Sequence, residues 1–144
     1  MIEQIIDTNI LLFFLQNDRR LPSRTADLIE NPNRLSLVSI ASLWEISIKT
    51  SLGKLNYSPA NTLEFPVELE KQGFEIAPLS WKVMCRASKL PWHHRDPFDR
   101  YLIAEAQNRN TPTSTVTRWI AASLTPFPPR NDKMGTSISS HPLW

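Results

Sequence analysis

Short apolar runs alternate with segments of helical periodicity along the first 117 residues, and this alternation is the strongest constraint on the fold. The apolar runs have the length and composition of buried strands and lie at 2–6, 35–38, 74–77 and 114–117. Helical spacing or helix-terminal signals occur at 9–15, 23–29, from 39 or 42 to 52, 66–72, 80–90 and 96–108. Strands that alternate with helices in this way favour a parallel sheet covered by helices on both faces.

The composition indicates one ordinary globular domain in a reducing compartment. Its 144 residues are 41% apolar and 21% charged, which is enough for a real core. The single cysteine, Cys85, excludes an intrachain disulfide, and no apolar run is long enough to span a bilayer. We therefore expect a cytoplasmic protein without a membrane segment or signal peptide. The formal charge of +2 permits a nucleic-acid partner without requiring one.

Carboxylates occur where an apolar strand ends or a helix begins. Asp7 follows the first strand, Glu45 lies near the start of the third helical segment, and Asp96 and Asp99 lie near the start of the last helix. Carboxylates gathered in one pocket suit a hard divalent cation such as Mg²⁺. Metal-assisted hydrolysis of a phosphodiester is the chemistry that needs this arrangement.

Two of these acids also have purely structural interpretations. Asp7 is equally well explained as the N-cap of the helix that follows it. Glu45 forms a capping-box pattern with Ser42 and an i,i+4 ion pair with Lys49. Taken alone, Glu45 is better explained by these structural roles, although its apolar neighbours are typical of a carboxylate held toward a pocket.

The last acidic segment separates a structural acid from a functional one. Asp96 followed by Pro97 is typical of a helix start, with Asp at the N-cap and Pro at the first helical position. Asp99 lies one turn inside that helix, where it is free to project into a pocket. The helix dipole favours a carboxylate at this end. We therefore assign Asp99, rather than Asp96, to the site.

Basic side chains flank these acids. His93 and His94 are adjacent, point in different directions and have no partner motif, so we expect a loop role or contact with a substrate phosphate. Arg95 and Arg100 are candidates for phosphate contact, with solvated surface charge as the alternative for each.

Taken together, the three segments resemble the PIN-domain ribonucleases, specifically the VapC-type toxins of VapBC toxin–antitoxin pairs. The resemblance covers roughly residues 2–117. It rests on Asp7-Thr8-Asn9, on Ser42-Leu43-Trp44-Glu45 with the residues to Leu55, and on His94-Arg95-Asp96-Pro97-Phe98-Asp99-Arg100 with the residues to Ala104. The order and spacing of all three are far more specific than any one alone.

The resemblance implies a three-layer α/β/α sandwich with acids around one or two Mg²⁺ or Mn²⁺ ions. By position the catalytic metal ligands are Asp7, Glu45 and Asp99, with Asp96 as the alternative. Supporting or substrate-binding roles fall to Thr8, Asn9, Arg95 and Arg100. The activity implied is hydrolysis of RNA by an endoribonuclease toxin. The implied partners are a second copy of the chain and a small VapB-like antitoxin that inserts a segment into the active-site groove.

The resemblance stops abruptly after Thr117. The family pattern places a fourth acid there, whereas this chain continues Arg118-Trp119-Ile120. Residues 118–144 are rich in Pro, Ser and Thr and have no sustained period, which predicts a disordered or poorly packed tail and is also what an out-of-frame C-terminus would produce. We therefore divide the chain into a PIN-like domain at 1–117 and an atypical tail at 118–144.

Two other functions compete with the toxin interpretation. One is a catalytically impaired relative that still binds its antitoxin, which the missing fourth acid favours. The other is a nuclease directed at DNA through the same site.

Overall fold

A three-stranded parallel sheet forms the centre of the protein, whose computed structural model describes residues 1–92 and 95–110. The strands are β1 (Ile2–Ile5), β2 (Arg34–Ser39) and β3 (Glu75–Ala77), and they lie side by side in the order β1-β2-β3. The α-helices are α1 (Thr8–Leu15), α2 (Ser23–Glu30), α3 (Ile40–Ser51), α4 (Phe65–Lys71), α5 (Trp81–Ser88) and α6 (Pro97–Arg109). A short 3₁₀ helix (Ser58–Asn61) precedes α4.

These elements confirm the predicted α/β alternation over the described residues. All six predicted helices form, with ends within a few residues of the expected positions. Gly53 follows α3 with φ of +70°, a conformation that favours glycine and ends the helix as expected. The fourth predicted strand (114–117) and the tail (118–144) lie outside the described residues.

Alternating side chains of the strands supply the two faces of the sheet. Ile6 and Val38 point to one face, where they join a core built with α1, α3 and α4. Ile5 and Leu37 point to the other face and pack against α6. The period of two along a strand produces this division. The result is a sheet between two helical layers, an α/β/α sandwich.

Helices α5 and α6 form a further core with the start of α3. Its buried members are Ala41, Val83, Ala87, Phe98, Tyr101 and Ala104. The Tyr101 hydroxyl accepts a 2.9 Å hydrogen bond from the backbone N–H of Ser80, directly before α5. This packing fixes α5 against α6 and places the first turn of α6 beside α3.

The carboxyl ends of β1 and β2 lead almost directly into α1 and α3. β1 ends at Ile5, but the N–H of Ile6 still donates to the carbonyl of Leu37 at 2.9 Å, and α1 begins at Thr8. α3 begins at Ile40, immediately after β2. In parallel sheets this edge is where ligands bind, and both helix starts face it. None of the described helices is long and apolar enough to cross a membrane.

Candidate active site

Asp7 lies at the edge of the sheet and caps α1. Its Oδ2 accepts hydrogen bonds from the backbone N–H groups of Asn9 at 3.0 Å and Ile10 at 3.4 Å. The capping interpretation is therefore confirmed, yet it occupies only one carboxylate oxygen. Burial raises the pKa of Asp7, the N–H groups of Ile10 and Asn9 oppose that rise, and the charge of Glu45 adds to it. Asp7 is thus both a cap and a neighbour of the second acid.

A pair of buried hydroxyls joins the start of α1 to α3. Thr8 Oγ1 donates to Ser42 Oγ at 3.0 Å, and both residues are buried. The capping-box interpretation of Ser42 with Glu45 is wrong, because α3 starts earlier. Its N-cap is Ser39, whose hydroxyl accepts from the N–H of Ala41 at 3.2 Å. Ser42 lies inside the helix and is directed at Thr8 instead.

Glu45 is buried on α3 with one oxygen engaged and one open. Its Oε2 accepts from Lys49 Nζ at 2.5 Å, which confirms the expected i,i+4 ion pair. Its Oε1 is buried and has no hydrogen-bond partner among the described residues. A buried carboxylate oxygen without a donor is costly. This oxygen is therefore available to a cation, although Glu105 Oε2, outside the predicted ligand set, is buried in the same way.

Asp96 has the capping role that the sequence predicts, and Asp99 follows it inside the helix. Asp96 is the N-cap of α6, and its Oδ1 accepts from the N–H groups of Phe98 at 2.8 Å and Asp99 at 3.2 Å. Asp99 lies in the first turn of the helix. The ring of Phe98 meets that of Trp44 edge to face at 5.6 Å. This contact packs the first turn of α6 against the part of α3 that carries Glu45.

The four acids and one lysine form a single electrostatic cluster. Burial raises the pKa of Asp99 to about 7, and the negative charges of Asp96, Asp7 and Glu45 add to that rise. The ammonium of Lys49 opposes it. Burial disfavours the charged form of Lys49, but the hydrogen bond and charge of Glu45, together with Asp96 and Asp99, raise its pKa. Mutual repulsion of this kind is what a bound cation relieves.

The donor set fits a divalent cation, although the side chains do not yet converge on one point. Among residues 1–92 and 95–110, no three His, Cys, Asp or Glu side chains meet in an arrangement that could hold a metal ion. The available donors are carboxylate oxygens, which Mg²⁺ and Mn²⁺ accept. The open Oε1 of Glu45 is already buried at the site. The acids are close enough for the charges of Asp7 and Glu45 to act on Asp99.

Arg100 is buried at the junction between α5 and α6. Only 4% of its surface is exposed, and its guanidinium donates to the carbonyl of Ala87 in α5 at 2.7 Å and to those of Leu90 and Pro91, just after the helix, at 2.8 and 3.0 Å. It also lies over the ring of Trp92, 3.8 Å from the ring centre. Burial contradicts the alternative that Arg100 is a solvated surface charge. These contacts fit a supporting role at the junction of α5 and α6, and contact with substrate stays a prediction.

The remaining predicted site residues are exposed or outside the described residues. Asn9 and Arg95 are exposed next to Asp7 and Asp96 respectively, so both side chains are accessible to a substrate. His93 and His94 lie outside the described residues.

Sequence reasoning missed two contributors to the site. Ser42 was interpreted only as part of a capping box, and its bond to Thr8 depends on how α1 and α3 pack. Lys49 was interpreted only as an ion-pair partner, whereas its charge acts on Asp96 and Asp99 as well. The spacing of Lys49 from Glu45 was a usable signal, because it places the ammonium beside a candidate ligand.

A parallel sheet between two helical layers, with acids near its carboxyl edge, defines an α/β protein with an acidic site where such sheets bind ligands. Residues 5–118 match the family model of the PIN domain, which is well over half of the chain, and the chain belongs to that family. PIN domains are generally metal-dependent nucleases that typically bind Mg²⁺ or Mn²⁺. No curated protein and no solved structure matches the chain.

Proposed function

We propose that this chain is a Mg²⁺-dependent endoribonuclease, the toxin of a toxin–antitoxin pair. The observation that carries the proposal is the charge cluster of Asp7 at the cap of α1, Glu45 inside α3 and Asp99 in the first turn of α6. The buried open oxygen of Glu45 supports it. Membership in the PIN family supports a nuclease, and the specific segments that resemble VapC-type toxins support the toxin assignment.

In this proposal the acids bind the ion, and the surrounding residues position the acids. Asp7, Glu45 and Asp99 are the ligands, with Mn²⁺ as an alternative ion. When bound, the ion supplies a Lewis acid for the phosphate charge and lowers the pKa of water. Lys49 keeps one oxygen of Glu45 oriented. The bond from Thr8 to Ser42 fixes the distance between α1 and α3.

Asn9 and Arg95 are the exposed polar residues beside the ligands. Arg95 offers a guanidinium next to the start of α6, where it can pair with a phosphate. Asn9 offers an amide next to Asp7. A single-stranded or looped RNA is the expected substrate, because its accessible backbone can reach these two residues at the edge of the sheet.

The deciding experiment is metal-dependent cleavage of RNA by Asp7→Asn. Asn retains N-cap geometry and removes one negative ligand, so cleavage should vanish while the fold stays intact. Melting of the metal-free variant should be unchanged or higher, because repulsion from Glu45 is relieved. Wild-type cleavage by this variant, measured at saturating Mg²⁺, contradicts the assignment. Comparison of RNA with DNA of the same sequence separates a ribonuclease from a DNA-directed enzyme.

The partners proposed are a second copy of the chain and a small VapB-like antitoxin. The support is the resemblance to VapC-type toxins alone. Co-expression with a short reading frame next to the gene, followed by co-purification and relief of growth inhibition, tests the antitoxin. Light scattering of the purified chain tests the homodimer.

A second candidate is a catalytically impaired relative that binds its antitoxin and cleaves weakly or not at all. The sequence favours it at one point: after Glu105 the chain has no Asp or Glu before Asp132. A fourth acid after Thr117 is therefore missing. Retained antitoxin binding without metal-dependent cleavage by the wild-type protein identifies this candidate.

A further inference from the structure

A groove along α5 has chemistry unlike that of the acid cluster. It is an open groove of about 360 Å³ lined by Lys82, Cys85, Arg86, Lys89 and Leu90. Cys85 and Arg86 follow Lys82 by three and four residues, so these three share one face of α5. Lys89 and Leu90 follow at its C-terminal end. Its three cationic side chains are all exposed, and they span about 10 Å along the helix at 1.5 Å per residue.

The groove belongs to a segment with only positive charge. From Ile76 to Arg95 the chain contains four Lys or Arg residues and no Asp or Glu. The whole chain is nearly balanced, with 16 basic and 14 acidic residues. Although the net charge of the whole chain is small, this segment forms a local basic surface, which attracts an anionic partner.

Part of this charge pattern opposes the helix that carries it. Lys82 and Arg86 are four residues apart, and Arg86 and Lys89 are three apart, so like charges face each other. Lys82 also lies in the first turn, where the helix dipole disfavours a cation, whereas the dipole favours Arg86 in the last turn and Lys89 at the C-cap. α5 has no acid to offset the like-charge contacts. Helix stability alone therefore does not explain Lys82 or the row of three cations.

The groove ends beside the acid cluster. Arg100 follows Asp99 directly, and its guanidinium holds the carbonyls of Ala87 and Leu90 at 2.7 and 2.8 Å. The last turn of α5 and the first turn of α6 are therefore no farther apart than one arginine side chain can reach. A strand that leaves Asp99 along α5 meets Lys89 first, then Arg86, then Lys82.

Two exposed tryptophans mark the ends of this track. Trp81 opens α5 with 77% of its surface exposed, and Trp92 follows the helix with 69% exposed. Exposed aromatic rings beside a line of cations are the elements with which proteins bind single-stranded nucleic acid, by base stacking and backbone charge. An acidic protein segment would use the cations but has no need of the rings.

We propose that Lys82, Arg86 and Lys89 bind the phosphates of single-stranded RNA and guide it along α5 to the acid cluster. The proposal rests on the ribonuclease function above and names the surface that holds the substrate outside the site of cleavage. The three residues are binding residues, distant from the reacting phosphate.

The test is binding of a fluorescent single-stranded RNA to metal-free protein as salt is varied. The variant is Lys82→Gln/Arg86→Gln/Lys89→Gln, and its matched control is Arg19→Gln/Arg24→Gln/Lys54→Gln, which removes three exposed cations elsewhere. For a single strand, each phosphate that is no longer neutralised lowers the slope of log affinity against log salt by about 0.7, so three substitutions should lower it by about 2. Near 0.1 M salt the affinity should fall roughly ten- to a hundredfold, with little change in the control.

Cys85 provides a second measurement that needs no substitution of the basic residues. It is the only cysteine of the chain and lines the groove. Single-stranded RNA should slow its alkylation by a small thiol reagent. The rate of alkylation with saturating RNA should be several times lower than without it, in wild type but not in the groove variant.

The outcomes separate this proposal from the ribonuclease function. Equal affinity and salt slope in the groove variant and control, with unprotected Cys85, overturn the proposal even if the wild type cleaves RNA. Selective loss of binding to a polyglutamate peptide instead of RNA also overturns it and assigns the groove to an acidic protein segment. Selective loss of RNA binding supports it even where the wild type fails to cleave, and in that case only the ribonuclease function fails.

Discussion

The hydroxyl of Thr8 donates a 3.0 Å hydrogen bond to the hydroxyl of Ser42, and both groups are buried. The bond joins the residue after Asp7 to the residue one helical turn before Glu45. The separation of two proposed ligands therefore depends on a contact between two small polar side chains. This dependence can be measured.

Thr8→Val and Ser42→Ala should each destabilise the protein by about 1 kcal/mol, because each substitution leaves the hydroxyl of the other residue buried without its partner. The double variant should lose less than the sum of the two. Chemical denaturation measures all three. Thr62→Val, at an exposed hydroxyl that bonds only to the nearby carbonyl of Pro59, is the control. Strictly additive losses would show that the two hydroxyls do not act on each other.

Asp96 and Asp99 should respond differently to substitution. Asp96→Ala removes the N-cap of α6 and should cost about 0.5–2 kcal/mol of stability, with cleavage retained in part. Asp99→Asn should abolish Mg²⁺-dependent cleavage without that loss. Melting and cleavage assays on both variants measure the difference, and the opposite pattern would exchange their roles.

The stability of the metal-free protein should depend on pH through Asp99. The folded protein holds the Asp99 proton with a pKa of about 7, against an ordinary value of 3.8. The contribution of Asp99 to the free energy of unfolding is therefore fully present below pH 3.8, and it is lost as the pH rises toward about 7. Melting in chelator between these values should show the decline, and Asp99→Asn should flatten it. Added Mg²⁺ should restore stability most above pH 7. An unchanged slope in Asp99→Asn would remove Asp99 as its source.

Arg100 and Arg95 offer a matched pair, one buried and one exposed. Arg100→Gln should destabilise the protein by roughly 2–3 kcal/mol, because the carbonyls that end α5 lose charged donors. Arg100→Lys should not rescue it fully, since an ammonium lacks the planar fork. Arg95→Gln should leave melting within about 0.5 kcal/mol and instead weaken RNA binding. A stable Arg100→Gln protein would contradict the structural role.

Local signals in the sequence were enough to predict most helix starts and the three strands that the structure describes. Asp96 followed by Pro97 specifies an N-cap through groups only two or three residues apart, and the structure has that cap. The apolar run before Asp7 specifies a buried strand for the same local reason. Such features depend on neighbouring residues and not on how the rest of the chain packs.

Features that join distant segments could not be predicted in the same way. From its sequence context Arg100 would be a surface cation. Its burial depends on its contacts with the carbonyls at and just after the end of α5. Ser42 looks like part of a cap, and its partner is 34 residues away. Besides its neighbour Asp96, the charges that act on Asp99 come from two distant segments, that of Asp7 and that of Glu45 and Lys49. Each of these depends on packing between helices, which periodicity does not encode.

Lys49 gives the acid cluster a resident counter-charge. Its ammonium bonds to Glu45 and acts on Asp96 and Asp99, so the carboxylates are partly neutralised before any ion arrives. A cluster of bare acids would push its helices apart whenever the metal departed. Because an ammonium lies among the acids, loss of the proposed ion would leave less unbalanced charge inside the fold than it would in a cluster of bare acids.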